Sequence, residues 1–122
     1  MILLDSSAIV EIIRGTDKGQ DILSKIEGDT FLSPFSIYEV VLGLKQKESL
    51  LLEKLLTTTR LINFDVGSSL AAVQIMKELT EKGQKINIID IFIASIAISN
   101  NLTLVSLDKD FTKVDNLKTL IF

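Results

Sequence analysis

Short unbroken apolar runs alternate along this chain with longer segments of helical period. Ile2-Leu3-Leu4 comes first and runs into Asp5-Ser6-Ser7. Consecutive large apolar residues fit a strand buried on both faces, as in a parallel sheet covered by helices. Ala8 to Arg14 reads as a short helix stopped by Gly15, the residue type usual just past a helix end. Thr16 or Asp17 caps a second helix reaching Ile26, with Ile22, Leu23 and Ile26 on one face. A turn at Gly28-Asp29 leads to a second strand, Thr30 to Ser33, and Pro34 opens the next helix where proline is well tolerated. That helix, roughly 35 to 47, has an apolar stripe of Ile37, Val40, Val41 and Leu44 at 3.6-residue spacing. Residues 50 to 58 predict another helix, and Arg60 to Phe64 a strand. A long helix over about 66 to 82 comes next, with Leu70, Val73, Met76 and Leu79 on its apolar face and Gly83 at its end. Ile91 to Ile98 is apolar nearly all round and predicts a buried helix, ended by Asn100-Asn101. Leu102 to Val105 and Leu117 to Phe122 complete the set as strands.

Strands alternating with helices in this rhythm predict an α/β layer fold with a mainly parallel sheet. Its 122 residues, without repeats, low-complexity tracts or linkers, predict one domain over 1–122. No apolar run approaches the roughly 18 residues a membrane-spanning helix needs. No basic region precedes the first apolar segment, so a cytoplasmic location is expected.

Composition sharpens the chemistry by subtraction. The chain has no cysteine and no histidine. That excludes disulfides, thiolate catalysis, the common zinc sites and every nucleophile pair that depends on histidine. An enzyme built from this chain must use carboxylates, lysines, hydroxyls and bound cations, and oxygen-only ligands point to Mg²⁺ or Mn²⁺.

Four carboxylates stand out, each with a plainer reading beside the functional one. Asp5 ends the first strand, where open α/β sheets gather ligands, but Asp5 or Ser6 also suits a helix N-cap. Glu39 lies about 150° from its helix's apolar stripe, counting 100° per residue, and reads as solvated or as facing a site beside Phe35, Leu42 and Gly43. Gly43 there suggests close packing or approach. Asp90 shares a face with Ile93, Ala94 and Ala97, an expensive place for an unpaired carboxylate, though a first-turn aspartate also favours the helix dipole. Asp108 comes after a strand and a serine, repeating the opening arrangement, or simply forms a turn. Parallel connections would bring these groups to one sheet edge. Four clustered carboxylates need a compensating cation, because like charges raise one another's pKa. Two such ions, about 3.5–4 Å apart, can activate water and stabilise the leaving oxygen in phosphodiester hydrolysis.

The net charge of −3 argues against a general nucleic-acid coat protein. Setting the four acids aside leaves 12 of the 16 acidic residues against 13 basic ones, a balance of +1. Arg14, Lys45, Lys47 and Lys85 are candidate phosphate contacts or ordinary solvated charges.

Leu4-Asp5-Ser6-Ser7, Ser33-Pro34 with Glu39 and Gly43, Asp90 with Ile93-Ala94 and Ala97, and Leu104 through Phe111 together resemble a PIN-domain ribonuclease. Specifically, the chain resembles the VapC-type toxin of VapBC toxin–antitoxin pairs, over essentially its whole length. The resemblance implies a three-layer α/β/α sandwich and a Mg²⁺- or Mn²⁺-dependent endoribonuclease acting on RNA. It makes Asp5, Glu39, Asp90 and Asp108 the catalytic, metal-binding quartet, with Ser7, Ser106 and Asp110 supporting. It also implies a homodimer and a VapB-like antitoxin whose tail occupies the acidic groove. The alternatives are a PIN-fold RNA-processing nuclease outside such pairs and a non-catalytic interaction module. A dehalogenase-like phosphotransferase would want a second aspartate where Ser7 stands. A receiver domain would want adjacent acids and a late lysine that are not found. The apolar helix at Ile9, Val10, Ile12 and Ile13 reads either as a contact surface or as core.

Overall fold

The fold is built outward from its first strand. A computed structural model describes residues 1–122. Its strands are β1 (Ile2–Leu4), β2 (Thr30–Leu32), β3 (Arg60–Leu61), β4 (Thr103–Ser106) and β5 (Thr119–Ile121). Its helices are α1 (Ser6–Arg14), α2 (Asp17–Lys25), α3 (Pro34–Gly43), α4 (Ser49–Thr58), α5 (Val66–Glu81) and α6 (Ile88–Ser99). All strand pairings are parallel, in the order β3-β2-β1-β4-β5, with Leu4 beside Leu32 and Val105.

The two-residue alternation of a strand divides the core between the faces of this sheet. Leu3 and Leu104 join Ala72, Ile75, Leu79 and Ile91 from α5 and α6. Ile2, Leu4 and Val105 join Ile9, Ile22, Val40 and Leu52 from α1 to α4. The result is the expected α/β/α sandwich, with β1 covered on both faces, which is why its sequence is an unbroken apolar run. The N-terminal helix is core: Ile9 and Ile13 are buried, with Val10 and Ile12 packed partly against them. Gly15 closes α1 in the left-handed region at φ 64°, a conformation open to glycine.

Several boundaries differ from expectation. α3 stops at Gly43 because Leu44 turns extended and Glu48 organises the next turn of chain. The Glu48 carboxylate accepts the Lys45 N–H at 3.0 Å and pairs with Arg14 at 2.8 Å, tightening residues 46 to 48 into a 3₁₀ turn. Val41 is exposed, so the inward stripe of α3 narrows to Val40 with Ile37 and Leu44 partly buried. Gly43 has nothing within 4 Å of where a Cβ would sit, so it marks no close approach. On α5 the buried positions are Ser68, Ala72, Ile75 and Leu79, whereas Leu70, Val73 and Met76 face outward. The third and fifth strands are also shorter than their apolar runs.

Candidate metal centre

The sheet order reverses at β1, which has β2 on one side and β4 on the other. Crevices at such reversals, beyond the carboxyl ends of the strands, are where open α/β sheets hold ligands. Asp5 sits there, its N–H donating to the Val105 carbonyl at 3.0 Å. It occupies the N-cap position of α1, yet its side chain makes no capping bond. Instead Oδ2 accepts from Ser106 Oγ at 2.7 Å and Ser7 Oγ at 2.9 Å. Oδ1 is buried and has no hydrogen-bond partner. An unpaired buried polar atom costs about 1–3 kcal/mol, more when charged, so Oδ1 is held ready for something.

The two serines are themselves anchored. Ser7 Oγ accepts the Leu107 N–H and Ser106 Oγ accepts the Asp108 N–H, both at 3.0 Å. With their protons given to Asp5, they clamp the end of β4 against the start of α1.

Glu39 reaches the crevice from α3, which packs against both α1 and α6. Ser33 caps α3, accepting the Ser36 N–H at 3.1 Å, and Pro34 takes the first helical position. Glu39 Oε1 accepts from Ser6 Oγ at 3.1 Å. Burial pushes the Glu39 pKa up and the Asp5 charge adds to this, while the Ser6 hydroxyl opposes it.

Asp90 comes from the first turn of α6. Asn87 caps that helix, accepting the Ile89 N–H at 2.8 Å, so Asp90 is free of the capping task. Ile93, Ala94 and Ala97 on its face are fully buried. Burial, with repulsion from Asp5, Glu39, Asp108 and Asp110, pushes the Asp90 pKa up to about 7.

One carboxylate oxygen from each of Asp5, Glu39 and Asp90 lies within 4.8 Å of the others. None of the three enters an ion pair; all five pairs in the structure lie elsewhere. Three converging, uncompensated carboxylates and an unpartnered buried oxygen fit a hard divalent cation. Asp108 stands outside this trio: its Oδ1 accepts the Asp110 N–H at 2.9 Å and shapes the turn over Lys109–Lys113. Asp110 pairs with Lys113 at 2.9 Å. Both still bear on Asp90 through their charge. Of the candidate phosphate contacts, Arg14 is committed to Glu48, whereas Lys45, Lys47 and Lys85 are exposed and enter no ion pair. Ser6 was legible only as a possible cap; its true partner lies 33 residues away, and the doubled hydroxyl after Asp5 was the one available signal.

A parallel sheet with this crevice and acidic set defines the class. The chain matches the PIN domain family over residues 2–117 and belongs to it. Among solved structures it is similar to a chain of VapBC2 from Rickettsia felis, a complex bound to a DNA fragment from its promoter. That match has 26% identity and TM-score 0.88, covering 100% of this chain and 99% of that one. FitAcB from Neisseria gonorrhoeae matches at 27% identity and TM-score 0.79, covering 98% and 96%. VapBC-1 from nontypeable Haemophilus influenzae matches in fold at 20% identity and TM-score 0.82, covering 99% and 98%. No curated protein sequence matches the chain. No helix is long and apolar enough to cross a membrane.

Proposed function

We propose that this protein is a divalent-metal-dependent endoribonuclease, the toxin of a type II toxin–antitoxin pair acting in the cytoplasm. The observation that carries the reading is the convergence of Asp5, Glu39 and Asp90 within 4.8 Å without any protein cation to neutralise them. Asp5, Glu39 and Asp90 would hold Mg²⁺ or Mn²⁺, with Asp108 as the outer fourth carboxylate and Asp110 secondary. Bound there, the ion supplies charge neutralisation, an activated water and stabilisation of the leaving oxygen at a phosphodiester. The protein's own contribution is preorganisation. Ser7 and Ser106 fix Asp5 Oδ2, leaving Oδ1 as the oxygen that would be free to hold the ion, and the buried α6 face holds Asp90 in place. Lys45, Lys47 and Lys85 offer positive charge to the RNA backbone. Nothing in this arrangement needs histidine or cysteine, in keeping with their absence.

The toxin role draws on full-length similarity to chains of VapBC2 and FitAcB. A VapB-like antitoxin is accordingly the proposed protein partner, and a homodimer the proposed assembly. A small antitoxin-like reading frame immediately upstream would support the pairing; its absence would favour an RNA-processing nuclease outside such systems.

The direct test compares RNA cleavage by the parent and Asp5→Asn, with Mg²⁺ or Mn²⁺ and with chelator. Removing an outer partner of a metal ligand costs about 10–100-fold, so losing the ligand itself should cost at least about a hundredfold. Chelation should abolish parental cleavage. Asn retains an acceptor for Ser7 and Ser106, so the melting temperature should stay near the parent's. Cleavage by Asp5→Asn at the parental rate would remove the metal-site assignment. Sequencing RNA ends made by the parent alone would define the substrate.

A further inference from the structure

We propose that Ser6 is a positioning residue for Glu39, so that the Ser6-Ser7 pair holds two carboxylates from different elements in one geometry. The inference rests on the reading of Asp5, Glu39 and Asp90 as the cation site. Ser6 is the first residue of α1, and its hydroxyl does no helical work: it donates across 33 residues to Glu39 Oε1 at 3.1 Å. The next hydroxyl, Ser7, donates to Asp5 Oδ2 at 2.9 Å.

The backbone that carries both hydroxyls is anchored at Asp5 by its N–H and its carbonyl. The Asp5 N–H is bonded to the Val105 carbonyl at 3.0 Å, and the Asp5 carbonyl accepts the Ile9 N–H at 3.0 Å as the first bond of α1. A hydroxyl carried on that frame therefore fixes Glu39 relative to Asp5, and not merely relative to a neighbouring helix.

Ser6 is the one hydrogen-bond donor to the Glu39 side chain. A glutamate has three rotatable side-chain bonds, and repulsion from Asp5 and Asp90 favours rotamers that carry it out of the crevice. The Ser6 bond opposes that escape, and by occupying Oε1 it leaves Oε2 available to a ligand. Donors placed behind metal-binding groups tune affinity in this way, at about 10–100-fold when lost.

Calorimetric titration of the whole chain with Mn²⁺ tests the inference in the parent, Ser6→Ala and Ser6→Thr. Ser6 is only partly buried at a helix start, so neither substitution threatens the fold, and melting temperatures of the metal-free chains should agree. Ser6→Ala should bind Mn²⁺ about tenfold more weakly than the parent, and Ser6→Thr, which keeps the hydroxyl, should restore the parental affinity. A purely structural serine would leave Mn²⁺ affinity unmoved at equal melting temperature. Parental affinity in Ser6→Ala overturns the role of Ser6 alone, as does a Ser6→Thr loss equal to that of Ser6→Ala. No Mn²⁺ uptake by the parent overturns the cation site and this inference with it.

Discussion

Asp90 couples the site to pH. In the folded, metal-free chain its pKa stands at about 7, against an ordinary value of 3.8. Between those values the folded state binds the extra proton, so stability falls as pH rises. This contribution is fully present below about pH 4 and lost as pH rises through about 7. Asp90→Asn removes the titration, so its melting temperature should fall less than the parent's between about pH 5 and 8. Saturating Mg²⁺ at the upper pH should raise the parent's melting temperature and leave that of Asp90→Asn nearly unmoved. Equal pH profiles for the two metal-free chains would place Asp90 in a solvated setting. Ser106 presents the complementary case, since it is fully buried and bonds both Asp5 and the Asp108 N–H. Ser106→Ala should destabilise the chain by about 1–3 kcal/mol, read by urea unfolding, and weaken cation affinity about 10–100-fold. A change in stability without a change in affinity would make Ser106 a clamp for β4 and nothing more.

Among the glycines of the chain, Gly19 has the closest approach, where α2 meets α1. A Cβ at Gly19 would lie 2.2 Å from the Glu11 carbonyl oxygen, a backbone atom that has little room to move. Helix propensity favours alanine by about 1 kcal/mol. Overpacking costs about 1–3 kcal/mol, and with so severe an overlap it should win. Gly19→Ala should therefore lower the urea midpoint, and a raised midpoint would show that α2 can slide away from α1. The elements also show how far pattern can be read. β1 and α6 were legible because burial on every side leaves an unmixed apolar sequence, and Asp90 was conspicuous against Ile93, Ala94 and Ala97 for the same reason. The face of α5 was misread at every expected position except Leu79, because that helix carries two apolar stripes. Leu70, Val73 and Met76 form the bulkier one, but the smaller Ala72, with Ile75 and Leu79, is buried in the core that α5 shares with α6. Periodicity identifies stripes; which stripe is inward depends on a partner surface that the local sequence does not contain. Glu39 was placed away from its helix's stripe correctly, but its approach to Asp5 and Ser6 depends on how α3 docks against α1.

At the scale of the whole molecule, the parallel sheet gathers the chemistry at one edge and leaves apolar surface elsewhere. Tyr38, Val41 and Leu42 on α3 are 60%, 55% and 74% exposed, and with Leu61 from the edge strand β3 they line a shallow groove. Clusters of exposed large apolar residues mark interaction surfaces on small soluble domains. The net charge of −3 offers little repulsion between two copies. These features support the proposed homodimer, and light scattering on the purified chain should give twice the monomer mass of 13.5 kDa. Leu42→Glu tests the surface. Its side chain is largely solvated in the monomer, so a charge there should change monomer stability by no more than about 0.5 kcal/mol. Burying the same carboxylate against a second apolar face would be costly, and the variant should run at the monomer mass. A monomeric parent would remove the homodimer, and a dimeric Leu42→Glu would move the interface off α3. In either event the carboxylate trio is untouched, because all three carboxylates come from one chain.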